Sequence, residues 1–404
     1  MSGSFQFFQM AIDFWFPICY AFFKSISESE GAHMAKDIIQ EQNSNLQNHI
    51  ESGVEKIVSD ALKATLKDPK QSAFFLRFAA ATKKASKRRQ ELEEQGEHMP
   101  AFLIASITSY CNLHCAGCYA RSIHSASDEE PVDQLSGEEW QRVFQEADQL
   151  GVSFIMLAGG EPMLRKDVME AAGNTPNILF PIFTNGTYFN QRFIDLFDRC
   201  RNLVPVLSIE GGEAATDNRR GKGMYEKLLK LMDGFKERGQ LYGASITVTR
   251  ENYQEVTSKE FLEVLVSRGC RLVIYVEFVP MNDGEAHLAP REEERAFIAQ
   301  RIEEVRSGRE DVILLSFPGD ELEMGGCMAG GREFFHINSH GGAEPCPFSP
   351  YSDVNVRDTS LREALSSPLF RALRTEGLLE GEHDGGCVLY AKRDQVMAIL
   401  NQNK

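Results

Sequence analysis

Basic residues are scarce in this chain. Its 404 residues carry 43 lysines and arginines against 59 aspartates and glutamates, a formal net charge of −16. That balance excludes a general nucleic-acid binder, whose affinity comes from a basic surface. A long uninterrupted apolar run is also missing. The most apolar stretch, Phe5 to Phe23, carries Trp15 but is broken by Gln6, Gln9, Asp13 and Pro17, and no basic residue precedes it. It makes a poor signal peptide and a poor spanning helix. Two readings of residues 1–33 stay open. One is an interfacial helix giving membrane contact through the N-terminus. The other, which carries more weight, is a disordered extension upstream of a start near Met34. Internal repeats and low-complexity tracts are absent.

A disulfide framework is excluded too. The nine cysteines are odd in number and unevenly placed. Clustered thiols in a long chain read as metal ligands, and the setting expected for them is cytoplasmic. The 42% apolar and 25% charged fractions are those of an ordinary globular protein, and the length implies two or three core-forming units.

From about Asp37 to Gly96 the pattern is helical. Ile50, Val54, Ile57, Val58, Ala61, Leu62 and Leu66 recur at three- and four-residue spacing. Asp68-Pro69 breaks this helix, and a second runs through Phe74, Phe75 and Phe78 to a charged end. The basic run Lys83 to Arg89 reads first as a solvated face and second as a contact for an acidic partner or membrane surface.

After Pro100 short β-rich runs alternate with amphipathic helices. Expected strands are Phe102–Thr108, Ser153–Leu157, Ile178–Phe183, Val204–Ile209, Ala244–Thr249 and Leu272–Val279. Expected helices include Gly137–Leu150, Asn190–Arg201, Met224–Arg238 and Ser258–Arg268. Six β-then-α units imply a parallel sheet with right-handed crossovers, which a doubly wound sheet and a barrel satisfy equally. A helix near Glu292–Arg306 leads into a different segment. It holds a hairpin with Phe334–Asn338 on one arm and a turn at Gly341-Gly342, then helical stretches near Leu361–Arg374 and Lys392–Leu400.

The strongest chemical signal is Cys111, Cys115 and Cys118, spaced C-x-x-x-C-x-x-C directly after the first expected strand. Three thiolates on one loop can wrap three irons of a cubane. Since such clusters normally have four thiolates, one iron is left open to chelate a small molecule. Zinc would want a fourth ligand, for which His114 is the only nearby addition. Ala158-Gly159-Gly160-Glu161-Pro162 follows the second strand. Its glycines allow close backbone approach, and Glu161 provides an acceptor for an ammonium group. Thr184-Asn185-Gly186 and Ser208-Ile209-Glu210 put short polar side chains at the ends of the third and fourth strands. A loop-capping role for Asn185 weighs evenly against ligand contact. Ser245 and Thr247 share one strand face. Glu277 could meet a substrate or pair with an arginine.

The triad followed by G-G-E-P resembles the radical S-adenosylmethionine (SAM) superfamily over about residues 100–290. The resemblance implies an α/β fold with a partial (β/α)6 TIM-like barrel. It also implies a 4Fe-4S cluster on Cys111, Cys115 and Cys118 whose open iron takes the amino and carboxylate groups of SAM. Reductive cleavage then yields a 5′-deoxyadenosyl radical that abstracts a substrate hydrogen. By the same resemblance Gly159, Gly160, Glu161 and Pro162 meet the SAM amino group, and Asn185, Ser208, Arg220 and Thr247 contact the cofactor. Gly117 departs from the family, many of whose members carry an aromatic residue there.

Cys327, Cys346 and Cys387, flanked by Gly or Pro, resemble the accessory SPASM and twitch domains. Three cysteines imply one auxiliary 4Fe-4S cluster, its fourth ligand left among water, substrate, His383 and Asp384. Three buried free thiols are the plainer alternative. Cys200 and Cys270 read as core, Cys19 is unassigned, and His336 reads as a packed histidine. The expected division is residues 1–33 as extension, 34–99 as a helical segment, 100–307 as the core barrel and 308–404 as a small α+β auxiliary-cluster domain. The expected activity is hydrogen abstraction from a peptide, protein or small molecule, with a reductant such as flavodoxin or ferredoxin. No winged-helix pattern for precursor recognition precedes the core, which weighs against a peptide without removing it. The competing class is a non-catalytic iron–sulfur carrier or zinc-stabilised binding module.

Overall fold

The computed structural model describes residues 69–402 apart from 310, 322–325 and 380–386. The expectations for the extension, the first helix, Cys19, His383 and Asp384 fall outside these residues.

Nine strands form one sheet in the order β7-β6-β5-β4-β3-β2-β1-β8-β9. They are β1 (Phe102–Ser106), β2 (Phe154–Ala158), β3 (Phe180–Thr184), β4 (Leu203–Ser208), β5 (Gly243–Val248), β6 (Leu272–Glu277), β7 (Ile313–Phe317), β8 (His336–Ile337) and β9 (Ala343–Glu344). Strands β1 to β7 are parallel throughout, and the sheet curls into a half-barrel, the partial TIM-like barrel expected from the sequence. Sequence periodicity alone left doubly wound sheet and barrel equal. Strand order decides between them, since consecutive strands lie side by side without a switch point.

Chain beyond residue 307 continues the sheet at both edges. β7 adds a seventh parallel strand beside β6, and β8 pairs parallel with β1 through Ile104↔His336 and Ala105↔Ile337. The hairpin expected around Gly341-Gly342 is β8–β9, antiparallel. The helix expected over Leu361–Arg374 is two, Leu361–Leu365 and Pro368–Thr375. Pro368 cannot donate to a continuing helix and instead opens a new one behind the cap Ser367.

Alternation along the strands sorts their side chains. In β1, Leu103 and Ala105 are buried against the outer helices, in one core with Trp140, Val143 and Phe144. Phe102 and Ile104 point the other way and pack against the cluster holding Cys327 and Cys346. Gly137–Leu150 is the clearest outer helix. Ser136 and Glu139 close a capping box at its start, and Gly151 ends it with φ +89°.

Helix Pro69–Glu94 covers the N-terminal ends of the strands. Phe74, Phe75 and Phe78 pack on Leu179 and Val204, with Phe154 and Ile313 alongside. Its basic run is only partly a solvated face. Lys83, Lys84 and Lys87 are exposed, but Arg88 donates to the carbonyls of Asp148 and Gln149 at 2.8 and 2.7 Å. Arg89, 2% exposed, donates to that of Gly151. Both arginines thus face the carbonyl end of helix Gly137–Leu150, where cations are favoured. Among the described residues no helix is long and apolar enough to cross a membrane.

Candidate active site

Parallel strands put all their C-terminal ends on one rim. The register Ser106↔Ala158 brings the ends of β1 and β2 level, so the loop after β1 meets the turn after β2. Cys111, Cys115 and Cys118 occupy that first loop, each half-buried and free of disulfides. The loop is held at many points. Cys111 N–H donates to the Ser127 carbonyl at 2.9 Å, and Arg121 donates to the carbonyls of Leu113 and Cys111 at 3.0 and 3.1 Å. Ala116 N–H reaches the Arg219 carbonyl at 2.9 Å.

The glycine pair after β2 lies against this loop's backbone. A Cβ on Gly159, whose φ is +131°, would stand 2.3 Å from the Thr108 carbonyl oxygen. One on Gly160 would stand 2.1 Å from that of Tyr110. Only glycine admits such an approach. The N–H groups of Gly160 and Glu161 donate to the same two carbonyls at 2.7 and 2.8 Å.

Glu161 sits at the base of this turn. Its carboxylate, 1% exposed, accepts from Met163 N–H at 3.0 Å, Thr184 Oγ1 at 2.6 Å and Asn185 N–H at 2.8 Å. Burial raises its pKa while these donors oppose the rise. The side-chain acceptor expected for an ammonium group is thus engaged in joining the turn after β2 to the end of β3, with Pro162 buried beside it. Asn185 likewise serves the fold. Its side chain donates to Asn112 at 3.0 Å and accepts from Thr187, while Asn112 in turn donates to Thr187 at 3.0 Å.

Ser208 ends β4 opposite Ser245 of β5, and Ser245 and Thr247 are half-buried on one face. Arg220 comes to the cysteine loop, with Nη1 at 3.7 Å from Cys115 Sγ. What holds it there is Glu210, 1% exposed, which accepts from Arg220 Nε and Nη2 at 2.8 and 2.5 Å and from Thr247 N–H at 3.0 Å. Glu210 was visible in sequence only as the end of a strand. A carboxylate ten residues before a double arginine is the signal that could have paired them. Arg219 Nε is buried without a hydrogen bond, although Glu210 lies 3.4 Å away. Burial raises the pKa of Cys111 and Cys115, and for Cys115 the Arg220 charge pulls against it.

Gly117 has φ +63°, and a Cβ there would meet the Phe278 ring at 2.7 Å. The Arg219 guanidinium lies over that same ring at 5.9 Å. An aromatic group therefore does sit at this part of the loop, supplied by the residue after β6. Glu277 takes the second of its two readings, pairing with Arg295 at 3.0 Å.

Cys327 and Cys346, far apart in sequence, share one buried cluster with Phe334, Leu369 and Leu379, and the partly buried Cys387 packs against it. The neighbouring Cys387 thiol and burial push the Cys346 thiol up. Tyr119, next to Cys118, packs edge-on against Phe348 at 4.9 Å and feels the charges of both Cys118 and Cys346, so it stands between the two cysteine sets. Cys270 is core, its thiol pushed up to about 12 by burial, and Cys200 packs at the edge of the core. His336 is a packed histidine, bonded to Glu344 and Ser106 at 2.7 Å each.

The donors fit a cluster better than a single ion. Among the described residues no three His, Cys, Asp or Glu side chains converge closely enough to hold one metal ion. Thiolates around a cubane bind different irons and so need not converge. The half-buried thiols, the neighbouring cation and the glycine turn packed on the loop suit an iron–sulfur site with a small polar ligand beside it.

Residues 105–262 match the profile of the Radical SAM superfamily. The chain is 25% identical to the AdoMet-dependent heme synthase of Methanosarcina barkeri, over 70% of this chain and 87% of that protein. It is 27% identical to the PqqA peptide cyclase of Rhizobium meliloti, over 69% and 76%. Streptococcus suis SuiB bound to S-adenosylmethionine has a similar fold, with TM-score 0.61 over 76% of this chain and 78% of that one at 18% identity.

Proposed function

We propose that this chain is an enzyme of the radical SAM superfamily, working with a 4Fe-4S cluster and SAM, and that it removes hydrogen from an unactivated C–H bond of a peptide or small-molecule substrate. Cys111, Cys115 and Cys118 hold the catalytic cluster in this reading, and Cys327, Cys346 and Cys387 hold an auxiliary one. The observation that carries it is the contact between the three-thiol loop and the Gly159–Gly160 turn, whose backbone lies against Thr108 and Tyr110.

Cys111, Cys115 and Cys118 would hold the cluster, which would supply the electron for reductive cleavage of SAM and so the radical chemistry for hydrogen abstraction. The chain's own residues prepare the site. Three thiolates would leave one iron of a cubane without a cysteine ligand. The backbone of Gly159 to Pro162 comes close enough to receive the amino group of SAM, and Glu161 keeps that turn rigid from below. Arg220 brings a positive charge to the rim beside the Cys115 sulfur, where it also suits a cofactor carboxylate. Ser208 and Thr247 offer short polar contacts along the same rim. A flavodoxin or ferredoxin is the reductant this chemistry calls for. The named relatives include a heme synthase and a peptide cyclase, so both substrate classes have support.

Anaerobic reconstitution followed by iron analysis, and incubation with dithionite and SAM, tests the reading. About eight irons per chain and release of 5′-deoxyadenosine are expected. Cys115→Ala should abolish 5′-deoxyadenosine while keeping the auxiliary iron. Continued SAM cleavage by that variant would overturn the site assignment. Incubation with fractionated extract, followed by a search for masses lowered by two hydrogens, addresses the substrate.

A further inference from the structure

The C-terminal cysteine set supplies three thiols, one short of the usual complement for a cubane. A carboxylate lies beside them. Glu321 ends the short turn Gly319–Glu321 that follows β7, and the chain then folds back so that Gly326 N–H donates to the Glu321 carbonyl at 3.2 Å. This return sets Cys327 next to Glu321. The side chain follows suit, with Oε1 3.4 Å from the N–H of Met328, the residue just after Cys327. Cys327 in turn shares its packing cluster with Cys346, and Cys387 packs against it.

Nothing among the described residues explains why a carboxylate is buried there. Glu321 is 8% exposed, and among the described residues its carboxylate has one hydrogen bond, the long contact to Met328, and no cation within ion-pair distance. Arg332, the nearest positive influence, directs Nη1 to the Cys327 carbonyl at 3.3 Å instead. The contrast with Glu210, Glu277 and Glu344 is direct, because each of those buried carboxylates has a close cationic or histidine partner. Leaving a buried carboxylate without a partner is costly, and coordination to a metal is one of the few arrangements that offsets the cost.

We propose that Glu321 is the fourth ligand of the auxiliary cluster, its carboxylate oxygen completing the set with Cys327, Cys346 and Cys387. The assignment rests on the auxiliary-cluster reading above and sharpens it. It takes the fourth position away from water, substrate, His383 and Asp384, so the cluster is fully ligated by protein and works by electron transfer, without binding substrate.

The test uses the full chain carrying Cys111→Ala, Cys115→Ala and Cys118→Ala, so that iron reports on the C-terminal set alone. After anaerobic reconstitution with 57Fe, about four irons per chain are expected. Adding Glu321→Gln, which keeps the side chain's shape, should leave one iron labile. Brief ferricyanide treatment then yields about three irons and the electron paramagnetic resonance signal of a 3Fe cluster. Glu321→Cys should keep all the iron through the same treatment. If Glu321→Gln and Glu321→Ala both retain the full complement with an unchanged Mössbauer spectrum, the ligand assignment is overturned and the auxiliary cluster stands. If the background variant holds no iron, the auxiliary cluster itself is refuted and the assignment falls with it.

Discussion

Arg220 divides its guanidinium between two partners, with Nη1 3.7 Å from the sulfur of Cys115 and the remaining nitrogens closed on Glu210. Positive charge and N–H donors near a cluster sulfur favour the more negative, reduced state, so they raise its potential. Arg220→Gln should therefore move the midpoint potential of the loop cluster to a more negative value, and Arg220→Lys should fall between that and the wild type. Glu210→Gln frees the arginine from its anion and should move the potential in the positive direction while loosening the loop. Redox titration followed by electron paramagnetic resonance reads all three. Equal potentials across the series would show that the contact has no electrostatic role.

Gly160 cannot accept a side chain without displacing the cysteine loop, since its Cβ would stand 2.1 Å from Tyr110 O. Gly160→Ala is expected to weaken SAM binding by about tenfold or more, a cost of roughly 1.4 kcal/mol or above. Loop iron should stay, because the thiols themselves are untouched. The perturbation of the reduced cluster's spectrum on SAM addition measures the affinity.

Phe78 is 1% exposed and packs in the helix that covers the N-terminal strand ends, at the end opposite the cysteine loop. Phe78→Ala should cost about 3–5 kcal/mol of stability through lost burial and the cavity left behind. Iron content and the yield of 5′-deoxyadenosine per folded chain should be unchanged. Denaturant unfolding beside a single-turnover assay separates the two effects.

Glu333, 4% exposed, has its carboxyl raised by burial from 4.5 to about 7, against the pull of His98 and Arg332. Its folded pKa exceeds its unfolded one, so its contribution is complete below about pH 4.5 and is lost as pH rises through about 7. His98 is also raised, by Glu93 and Glu333 against its own burial, and its contribution likewise fades as pH rises. Glu333→Gln should flatten the decline, by roughly 3 kcal/mol at most. Unfolding free energies at pH 5 and pH 8 check this, and a variant that declines as steeply as the wild type would contradict it.

Amino-acid order alone determined the repeating βα texture, the position of the Cys111–Cys118 loop after a strand and of the glycine turn after the next. These are local signals: period-two and period-3.6 alternation, and donors spaced within a few residues of one another. Strand order, by contrast, needed the sheet itself, and it settled half-barrel over doubly wound sheet. The protein partners of Glu161 and Glu210 were also out of reach. A carboxylate's partner is fixed by which strand ends lie side by side, and nothing local says whether it faces a ligand or a neighbouring turn. Tertiary structure alone gathered Cys327, Cys346 and Cys387 and set Phe278 against Gly117, because contacts between residues far apart along the chain arise only when the packed sheet brings their segments together.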